Sequence, residues 1–213
     1  ISGAEIVKSE KTLLSDADLI FAIVRPDIKL LKLFKKGSIL ICQMETYINP
    51  NELKDIAKLG ITCFALEQVP RISRAQSMDV LSSQSNLAGY RAVIEASQIY
   101  RKAFPMMMTA AGTIPPARVL VMGAGVAGLQ AIATAKRMGA IVSATDVRPA
   151  SKEQVESLGG KFVAVEDEEF KEAESSGGYA KQMSAAYQKK QAELVSKTIS
   201  DQDIVITTAL IPG

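Results

Sequence analysis

The sequence predicts an α/β protein with two doubly wound parallel-sheet domains joined by a long helix. Its 213 residues, 47% of them hydrophobic, are enough to build two small cores. Short β-branched runs alternate with helical patterns of about ten residues, an order typical of parallel sheets. A stiff proline pair, Pro115 and Pro116, interrupts this alternation. We therefore expect a first domain at residues 1–112, which includes the interdomain helix, and a second domain at residues 113–213.

In the first half, strand-like runs alternate with helical patterns that end at glycine. Pro26 closes the first strand, and Gly37 ends the helix that follows it. A polar segment without a clear period comes next, and a long helix is predicted over about residues 85–104. The predicted order before that segment is the strand LIFAIVRP, the helix DIKLLKLFKKG, the strand SILICQ, the helix NELKDIAKLG and the strand ITCFAL.

The alternation resumes after the proline pair. The predicted order is the strand RVLVMG, the helix VAGLQAIATAKRMG, the strand IVSATD, the helix SKEQVESLG, the strand KFVAV, the helix YAKQMSAAYQKKQAELVSKTI and the strand DIVITTAL. An acidic connection, EDEEFKEAESSGG, precedes the last helix. Because the chain begins at Ile1 and stops at Gly213, just after an apolar run, we expect both domains to be truncated at these ends.

Composition excludes several classes of function. The net charge of +2 gives no field that attracts nucleic acid, and no apolar run reaches the roughly 20 residues needed to cross a bilayer. Cys42 and Cys63 lie in apolar stretches, so both are predicted to be reduced core residues. The sequence has no histidine, the commonest general base and nitrogen metal ligand, and no metal site is predicted. Chemistry is left to a cofactor, to carboxylates or lysines, or to residues outside this chain.

The segment VLVMGAGVAG carries the first functional signal, because its glycines follow a strand and open a helix. Gly123 permits the tight turn, Gly125 lets the backbone approach a pyrophosphate, and Gly128 lets the helix pack close to the strand. Unpaired N–H groups at the helix N-terminus can then bind phosphate. The pattern predicts a dinucleotide-binding, Rossmann-like domain; the alternative is a glycine turn made only for packing.

Asp146 ends the second strand of that domain, about twenty residues beyond the glycines. A carboxylate there accepts hydrogen bonds from the adenosine ribose hydroxyls and repels a 2′-phosphate, which favours NAD over NADP. Arg148 is a counter-argument, since an arginine nearby can accommodate that phosphate. Asp146 could instead serve only as a turn or cap residue.

Polar side chains crowd the loop before the long helix: Arg71, Arg74, Gln76, Asp79 and Ser82. The simplest interpretation is a polar loop with a helix cap. Their density beside the interdomain joint favours a binding site, because cofactors and substrates meet in clefts between domains.

The acidic connection before Tyr179 is typical of a solvated, mobile loop. Its two terminal glycines could alternatively act as a hinge, so that the connection forms a lid and Tyr179 reaches over a bound cofactor.

Taken together, these segments resemble the NAD(H)-binding component, the alpha subunit, of proton-translocating NAD(P)+ transhydrogenases, in the alanine dehydrogenase/transhydrogenase family. The resemblance runs the whole length of the chain. It is most specific in PRISRAQSMDVLSSQSNLAGYRAV, FPMMMTAAGT, GAGVAG with TDVR, SSGGYAK and TTALIPG. That family's component is considerably longer, which again suggests that parts of both domains are missing.

The resemblance implies a role for each matched residue. The resemblance assigns a catalytic role, positioning of the nicotinamide, to Arg71, Gln76, Asp79 and Ser82. The resemblance also implies sixteen cofactor-binding residues. At the nicotinamide and its ribose these are Arg71, Ile72, Ser73, Gln76, Asp79 and Ser82, and at the pyrophosphate turn they are Gly123, Gly125, Val126 and Gly128. At the adenosine they are Asp146, Val147 and Arg148, in a mobile loop that closes over the cofactor they are Gly178 and Tyr179, and at a strand end the residue is Leu210.

The resemblance also implies a mechanism. Hydride passes directly from NADH, bound here in the cleft between the domains, to NADP+ on a separate NADP(H)-binding component. A membrane-spanning component couples that transfer to proton translocation. The hydride step needs no general base, which fits a chain without histidine. By the same resemblance we expect a homodimer that is a peripheral, soluble component on the cytoplasmic side of the inner membrane.

Two other functions remain open. A stand-alone NAD-dependent enzyme of the alanine dehydrogenase type needs a substrate-binding acid–base pair in the first domain, usually with a histidine, and ILICQMETYINP has none. A non-enzymatic module that senses the ratio of NADH to NAD+ through its partners is also compatible with the sequence.

Overall fold

A computed structural model describes residues 3–48, 50–70, 72–171 and 183–209. The chain divides into two compact units, Ile1–Leu81 and Ser82–Gly213. Both are α/β units built on parallel sheets, so the predicted fold class is confirmed. No helix in the described ranges is long and apolar enough to cross a membrane.

The first unit is a parallel sheet with the strand order β1-β2-β3. Its central strand pairs with both neighbours, so that Ile41 lies between Phe21 and Phe64, and the register with β1 shifts after Phe21. The strands are β1 (Leu19–Val24), β2 (Ile39–Gln43) and β3 (Thr62–Ala65), and the helices are α1 (Glu10–Asp16), α2 (Ile28–Leu31) and α3 (Pro50–Ala57). Two 3₁₀ turns follow, at Leu66–Gln68 and Ser73–Met78.

One face of this sheet forms the core of the first unit. Leu40 and Cys42 of β2 are fully buried against Leu31 of α2 and Ile56 of α3. Both cysteines are free, and burial raises the pKa of the Cys42 thiol to about 11. The helix predicted from DIKLLKLFKKG is much shorter than expected. Asp27 caps it, but after Leu31 the backbone tightens into bonds three residues apart and the helix ends.

The second unit holds the long helix α4 (Val80–Ile99), a hairpin of β4 (Met107–Thr109) and β5 (Gly112–Ile114), and a larger sheet. The sheet's strands are β6 (Arg118–Met122), β7 (Ile141–Thr145), β8 (Lys161–Phe162) and β9 (Ile204–Thr207). All pair in parallel in the order β8-β7-β6-β9. Its helices are α5 (Val126–Arg137), α6 (Ser151–Ser157), α7 (Glu168–Lys171) and α8 (Ala185–Ser200).

Strand β6 is the centre of this sheet, and Val119, Leu120 and Val121 are fully buried. A strand buried on both faces reads as a continuous apolar run, which is how RVLVM appears in the sequence. Because β6 lies between β7 and β9, its carboxyl end meets the carboxyl ends of two other parallel strands. Ligands of open α/β sheets bind at this edge.

Helix α4 begins and ends about five residues earlier than the sequence pattern predicts, and from Ser82 onward it belongs to the second unit. A Cβ atom built on Gly89 would lie 2.0 Å from the carbonyl oxygen of Ala127, so α4 packs directly on the backbone of α5. Val93, one turn further, is buried in the core of the second unit. Contacts therefore divide the chain at residue 81, whereas the sequence pattern places the boundary at residue 112.

Candidate functional site

The glycine turn connects β6 to α5 at the carboxyl edge of the second sheet. Gly123 has a φ of +99°, which L side chains rarely adopt. Its N–H donates to the carbonyl of Thr145, at the end of β7, over 2.8 Å. A Cβ atom on Gly128 would lie 1.8 Å from the carbonyl oxygen of Gly123. A side chain at either position would therefore destabilise the fold.

Gly125 differs from the other two glycines, because nothing in the described part of the fold requires it. Its φ of −77° suits any residue, and a Cβ atom built there would find no heavy atom of the described residues within 4 Å. Gly125 is also the N-cap of α5, and no side chain caps the first N–H groups of that helix. The backbone therefore offers free donors beside open space that a side chain would fill. This arrangement fits the pyrophosphate of a dinucleotide.

Thr208 supports the turn from the neighbouring strand and was missed in the sequence analysis. Its hydroxyl donates to the carbonyl of Gly123 over 2.8 Å, and its N–H donates to the carbonyl of Met122 over 2.8 Å. The same hydroxyl would lie 2.9 Å from a Cβ atom on Gly128. A threonine directly after an apolar strand was the signal available, but only the sheet order shows which turn it touches.

Asp146 binds the glycine turn directly. Its Oδ2 accepts from the N–H of Ala124 over 2.7 Å, and its Oδ1 accepts from the N–H of Arg148 over 2.9 Å. Burial alone would raise the pKa of this carboxyl group. The hydrogen bonds from the Arg148 side chain and from the two backbone N–H groups outweigh burial, and the pKa falls below its ordinary value. The group is therefore a carboxylate at neutral pH.

The structure thus brings together Asp146 and the three glycines predicted from the sequence. Val126 and Val147, which flank this cluster along the chain, are both exposed. Their apolar side chains are available to contact a flat aromatic ring. Four further predicted residues lie outside the described part of the chain: Arg71, Gly178, Tyr179 and Leu210.

The described part of the predicted nicotinamide loop is a 3₁₀ helix, Ser73–Met78. Ala75 is buried and anchors it, whereas Ser73 and Gln76 expose polar side chains. The apolar side chain of Ile72, just before the helix, is also exposed. At the end of the helix the N–H of Asp79 donates to the carbonyl of Gln76 over 3.2 Å. A 3₁₀ helix of six residues is longer than usual. Asp79 and Ser82 follow, both half-buried.

Arg25 lies at the carboxyl edge of the first sheet, and its side chain is paired with the carboxylate of Glu52. Its Nη1 and Nη2 each lie 2.9 Å from an oxygen of Glu52, and its Nε donates to the carbonyl of Met44 over 3.1 Å. This bond from Arg25 lowers the pKa of Glu52. Nearby, Glu67 accepts from the N–H groups of Met44 and Thr46 over 2.9 and 3.1 Å. These charged groups therefore hold the loop after β2.

Comparison with known proteins agrees with this geometry. The chain is 58% identical to an NAD(P) transhydrogenase alpha subunit of Rhodospirillum rubrum, in an alignment that covers all of this chain and 56% of that protein. The crystal structure of transhydrogenase from Sinorhizobium meliloti superposes with a TM-score of 0.83 at 55% identity, covering 95% of this chain and 54% of that one. A solved L-alanine dehydrogenase shares the fold, with a TM-score of 0.60 at 22% identity over 76% of this chain and 45% of that one.

The chain thus spans little more than half the length of these two transhydrogenase proteins. The chain matches two domain families, one in each half. The alanine dehydrogenase/PNT N-terminal domain matches residues 1–88, and the alanine dehydrogenase/PNT C-terminal domain matches residues 92–213. With a glycine turn at the carboxyl edge of its second sheet and both domain types matched, the chain belongs to the alanine dehydrogenase/PNT family.

Proposed function

We propose that the chain is the NAD(H)-binding component of a proton-translocating NAD(P)+ transhydrogenase. The observation that carries the proposal is the glycine turn of a transhydrogenase-like chain, with Gly125 facing open space at the N-terminus of α5. Bound NADH supplies the hydride, which passes directly to NADP+ on a partner component. The protein's own task is to hold the dinucleotide, orient its ring and exclude water.

The choice of NAD(H) over NADP(H) follows from Asp146. The lowered pKa keeps this group ionised, and its charge lies beside the turn that would hold the pyrophosphate. A 2′-phosphate on the adenosine ribose would meet this negative charge, whereas two ribose hydroxyls can donate to it. We assign Asp146, Val147 and Arg148 to the adenosine end. NADP(H) then belongs to the partner component.

We assign the nicotinamide end of the dinucleotide to the loop that contains the 3₁₀ helix Ser73–Met78. Gln76 and Ser73 present hydrogen-bonding groups on a turn that buried Ala75 holds in place. An amide and a hydroxyl are suited to a carboxamide and to ribose hydroxyls, because each can both donate and accept. By resemblance to the family, we propose the same role for Asp79, Ser82, Ile72 and Arg71. We propose that Gly178 and Tyr179 belong to a loop that closes over the cofactor, and that Leu210 lies at a strand end beside it.

The alternative of an alanine dehydrogenase has less support. Oxidation of an amino acid needs a cation for the substrate carboxylate and a base for the amine. At the carboxyl edge of the first sheet, Arg25 is already paired with Glu52, and the sequence has no histidine. The likeness to transhydrogenases, at 55 to 58% identity, also exceeds the 22% shared with the solved alanine dehydrogenase.

Reconstitution tests this function. The purified protein is mixed with the NADP(H)-binding component of a related transhydrogenase, and hydride exchange between NADH and an NADP+ analogue is followed by absorbance. We expect exchange that requires both components, and no reduction of NAD+ by alanine. A protein that binds NADH but never exchanges hydride would instead support the sensing module. Alanine-dependent reduction of NAD+ would support the dehydrogenase.

The partners proposed for the assembled enzyme are this NADP(H)-binding component and a membrane-spanning component that moves protons. In that assembly the chain is a peripheral component on the cytoplasmic side of the inner membrane. Both proposals rest on the resemblance to transhydrogenase alpha subunits.

We also propose a homodimer, and the β4–β5 hairpin supplies a candidate surface. Every residue of its two strands is exposed, including Met107, Met108 and Ile114. A lone two-stranded hairpin is marginally stable in water, and a second copy of the chain would bury its methionines.

Replacing both Met107 and Met108 with serine is expected to shift the protein from dimer to monomer in sedimentation velocity. The control is Leu13→Ser, which changes an apolar residue on α1 of the first unit that is about as exposed as Met107. If the hairpin variant stays dimeric, or if the native protein is a monomer, this surface is not the dimer contact.

A further inference from the structure

A groove of about 540 Å³ lies on the second unit, between α8 and the strands β7 and β8. From the sheet it is lined by Arg118 at the start of β6, Ile141 and Ser143 of β7, and Lys161 at the start of β8. Each of these residues is among the first three of its strand. The groove therefore lies toward the amino edge of the sheet, opposite to the glycine turn, and its volume is typical of a small-molecule site.

Ser143 is a buried polar residue of this groove, only 9% exposed. Side chains two residues apart on a strand share one face of the sheet. Thr145, two residues further along β7, receives a hydrogen bond from the side chain of Gln191 on α8 over 3.1 Å. The side chain of Ser143 therefore faces α8 as well, across the groove.

The hydroxyl of Ser143 has no hydrogen-bond partner among the residues that the structure describes. Burial of a hydroxyl without a partner costs free energy, so such groups are rare. Two other polar side chains of the groove are already bonded. The hydroxyl of Thr198 donates to the carbonyl of Leu194 over 2.8 Å, and the amide of Gln202 donates to the carbonyl of Thr198 over 3.2 Å. Ser143 is thus the side chain that remains to bond a ligand.

Three cations line the same groove. Lys161 is the partner of Ser143 in the register of β7 and β8, so the two side chains lie on one face of the sheet. Lys197 belongs to α8 and Arg118 begins β6. Within the described ranges none of the three forms an ion pair, and Asp201 is the one carboxylate among the described lining residues. Positive charge therefore prevails in the groove.

Apolar side chains complete the lining, with Ile141 and Val163 on the sheet and Leu194 on α8. A ligand of this groove thus needs an anionic group for the cations and the hydroxyl, and an apolar body for the remaining surface. A phosphate monoester carries nearly two negative charges at neutral pH and offers three acceptor oxygens, whereas a carboxylate carries only one charge. The excess of cations favours the phosphate.

We propose that this groove is a second ligand site of the protein, which binds a small organic phosphate monoester. The hydroxyl of Ser143 donates to a phosphate oxygen, and Lys161, Lys197 and Arg118 neutralise the phosphate charge. The apolar body of the ligand lies against the apolar lining. Because the site is at the amino edge of the sheet, it is separate from the dinucleotide site and does not depend on the proposed function.

The test uses phenyl phosphate as the probe, titrated into the protein and followed by calorimetry and by backbone amide chemical shifts. We expect saturable binding, with shifts centred on Ser143 and Lys161. Inorganic phosphate lacks the apolar body, and we expect it to bind about tenfold more weakly. Equal affinity for the two would overturn the assignment of an organic ligand, and the absence of saturable binding would overturn the site.

Two substitutions test the contacts separately. Ser143→Ala is expected to weaken binding of phenyl phosphate about tenfold, because it removes a hydrogen bond to a charged group. Its stability in urea is expected to match that of the native protein, since the lost hydroxyl has no partner among the described residues. Normal affinity in this variant would overturn the inference, as would a marked loss of stability, which would show that the fold uses the hydroxyl.

Lys161→Gln is expected to weaken binding about threefold, and less at high salt. Lys161 is a better choice than Arg118, whose N–H already donates to the carboxylate of Asp203 over 2.9 Å. The control is Lys189→Gln, which removes an exposed charge of α8 outside the groove and is expected to leave the affinity unchanged. An equal effect of both substitutions would mean that only the general charge of this surface attracts the probe, and would overturn the inference.

A phosphate could also bind at the N-terminus of α5, and Gly125→Ala separates the two sites. The native affinity for phenyl phosphate is expected in this variant, because the groove is at the other edge of the sheet. Loss of phenyl phosphate binding in Gly125→Ala would place the probe at the glycine turn and overturn the second site.

Discussion

Replacing Gly125 with alanine is expected to abolish tight NADH binding and to leave the fold intact. The added methyl group finds no atom of the residues that the structure describes within 4 Å, and the backbone φ of −77° suits alanine. At an N-cap, alanine in place of glycine costs about 1 kcal/mol or less. The same methyl group lies where the pyrophosphate approaches the backbone. Loss of one or two charge-assisted hydrogen bonds weakens binding about a hundredfold, or about 2.7 kcal/mol.

Gly128→Ala is the matched control, since it makes the same chemical change three residues away. Here the methyl group would lie 1.8 Å from the carbonyl oxygen of Gly123 and 2.9 Å from the hydroxyl of Thr208. The turn and α5 must separate, and we expect about 3 kcal/mol or more of lost stability. Urea denaturation measures the stability of both variants, and calorimetric titration measures NADH binding.

The contrast between the two glycines is what the experiment decides. If Gly125→Ala bound NADH like the native protein, no phosphate would pass over this part of the turn. If Gly125→Ala were as unstable as Gly128→Ala, the glycine would be there for packing, which was the alternative left open by the sequence. Only a stable Gly125→Ala variant with lost binding supports a dinucleotide site.

The parts of the site that could be predicted from sequence are those that depend on local spacing. The order of strand, glycines and helix lies within one βα unit, so Gly123, Gly125 and Gly128 could be assigned without any tertiary information. Asp146 could be assigned because it ends the next strand. The hydrogen bond between Asp146 and the N–H of Ala124 could not be predicted, and neither could the hydrogen bonds that the Arg148 guanidinium donates to the Asp146 carboxylate.

Thr208 shows why the other contacts of the site could not be predicted from the sequence. It lies 85 residues from Gly123 in sequence, and the two meet only because β9 pairs with β6. That pairing is a property of the sheet order, which periodicity does not specify.

Helix and strand boundaries were least predictable where tertiary contacts decide them. Strand β8, predicted from KFVAV, pairs over only Lys161 and Phe162, and the loop after it is held by α8 instead. There Gln191 accepts from the N–H of Val165 over 2.8 Å, and the hydroxyl of Tyr187 donates to the carbonyl of Val165 over 3.1 Å. The β4–β5 hairpin was not predicted, because its methionines and threonines lack the alternation of a half-buried strand.

Replacing Gln76 with alanine is expected to slow hydride transfer about a hundredfold, since a misplacement of about 1 Å at a reacting atom costs that much. Gln76 is exposed on the 3₁₀ helix that buried Ala75 anchors, so truncation removes its amide without opening a cavity. Under the proposed function that amide orients the nicotinamide ring toward the acceptor. The pyrophosphate and adenosine contacts remain, and we expect the Kd for NADH to change less than about threefold.

Ser77→Ala is the control, because Ser77 is the next residue of the same helix, is equally exposed and has no assigned role. Single-turnover mixing with the NADP(H)-binding component gives the rate of transfer, and a separate titration gives the Kd. A rate that falls with unchanged Kd separates ring orientation from binding, since uniform loss of binding would raise the Kd in proportion.

If Ser77→Ala slowed transfer equally, the helix would matter only as a structural element. If Gln76→Ala weakened NADH binding a hundredfold, the amide would be an anchor for the whole dinucleotide. Neither result is compatible with Gln76 as the residue that orients the ring.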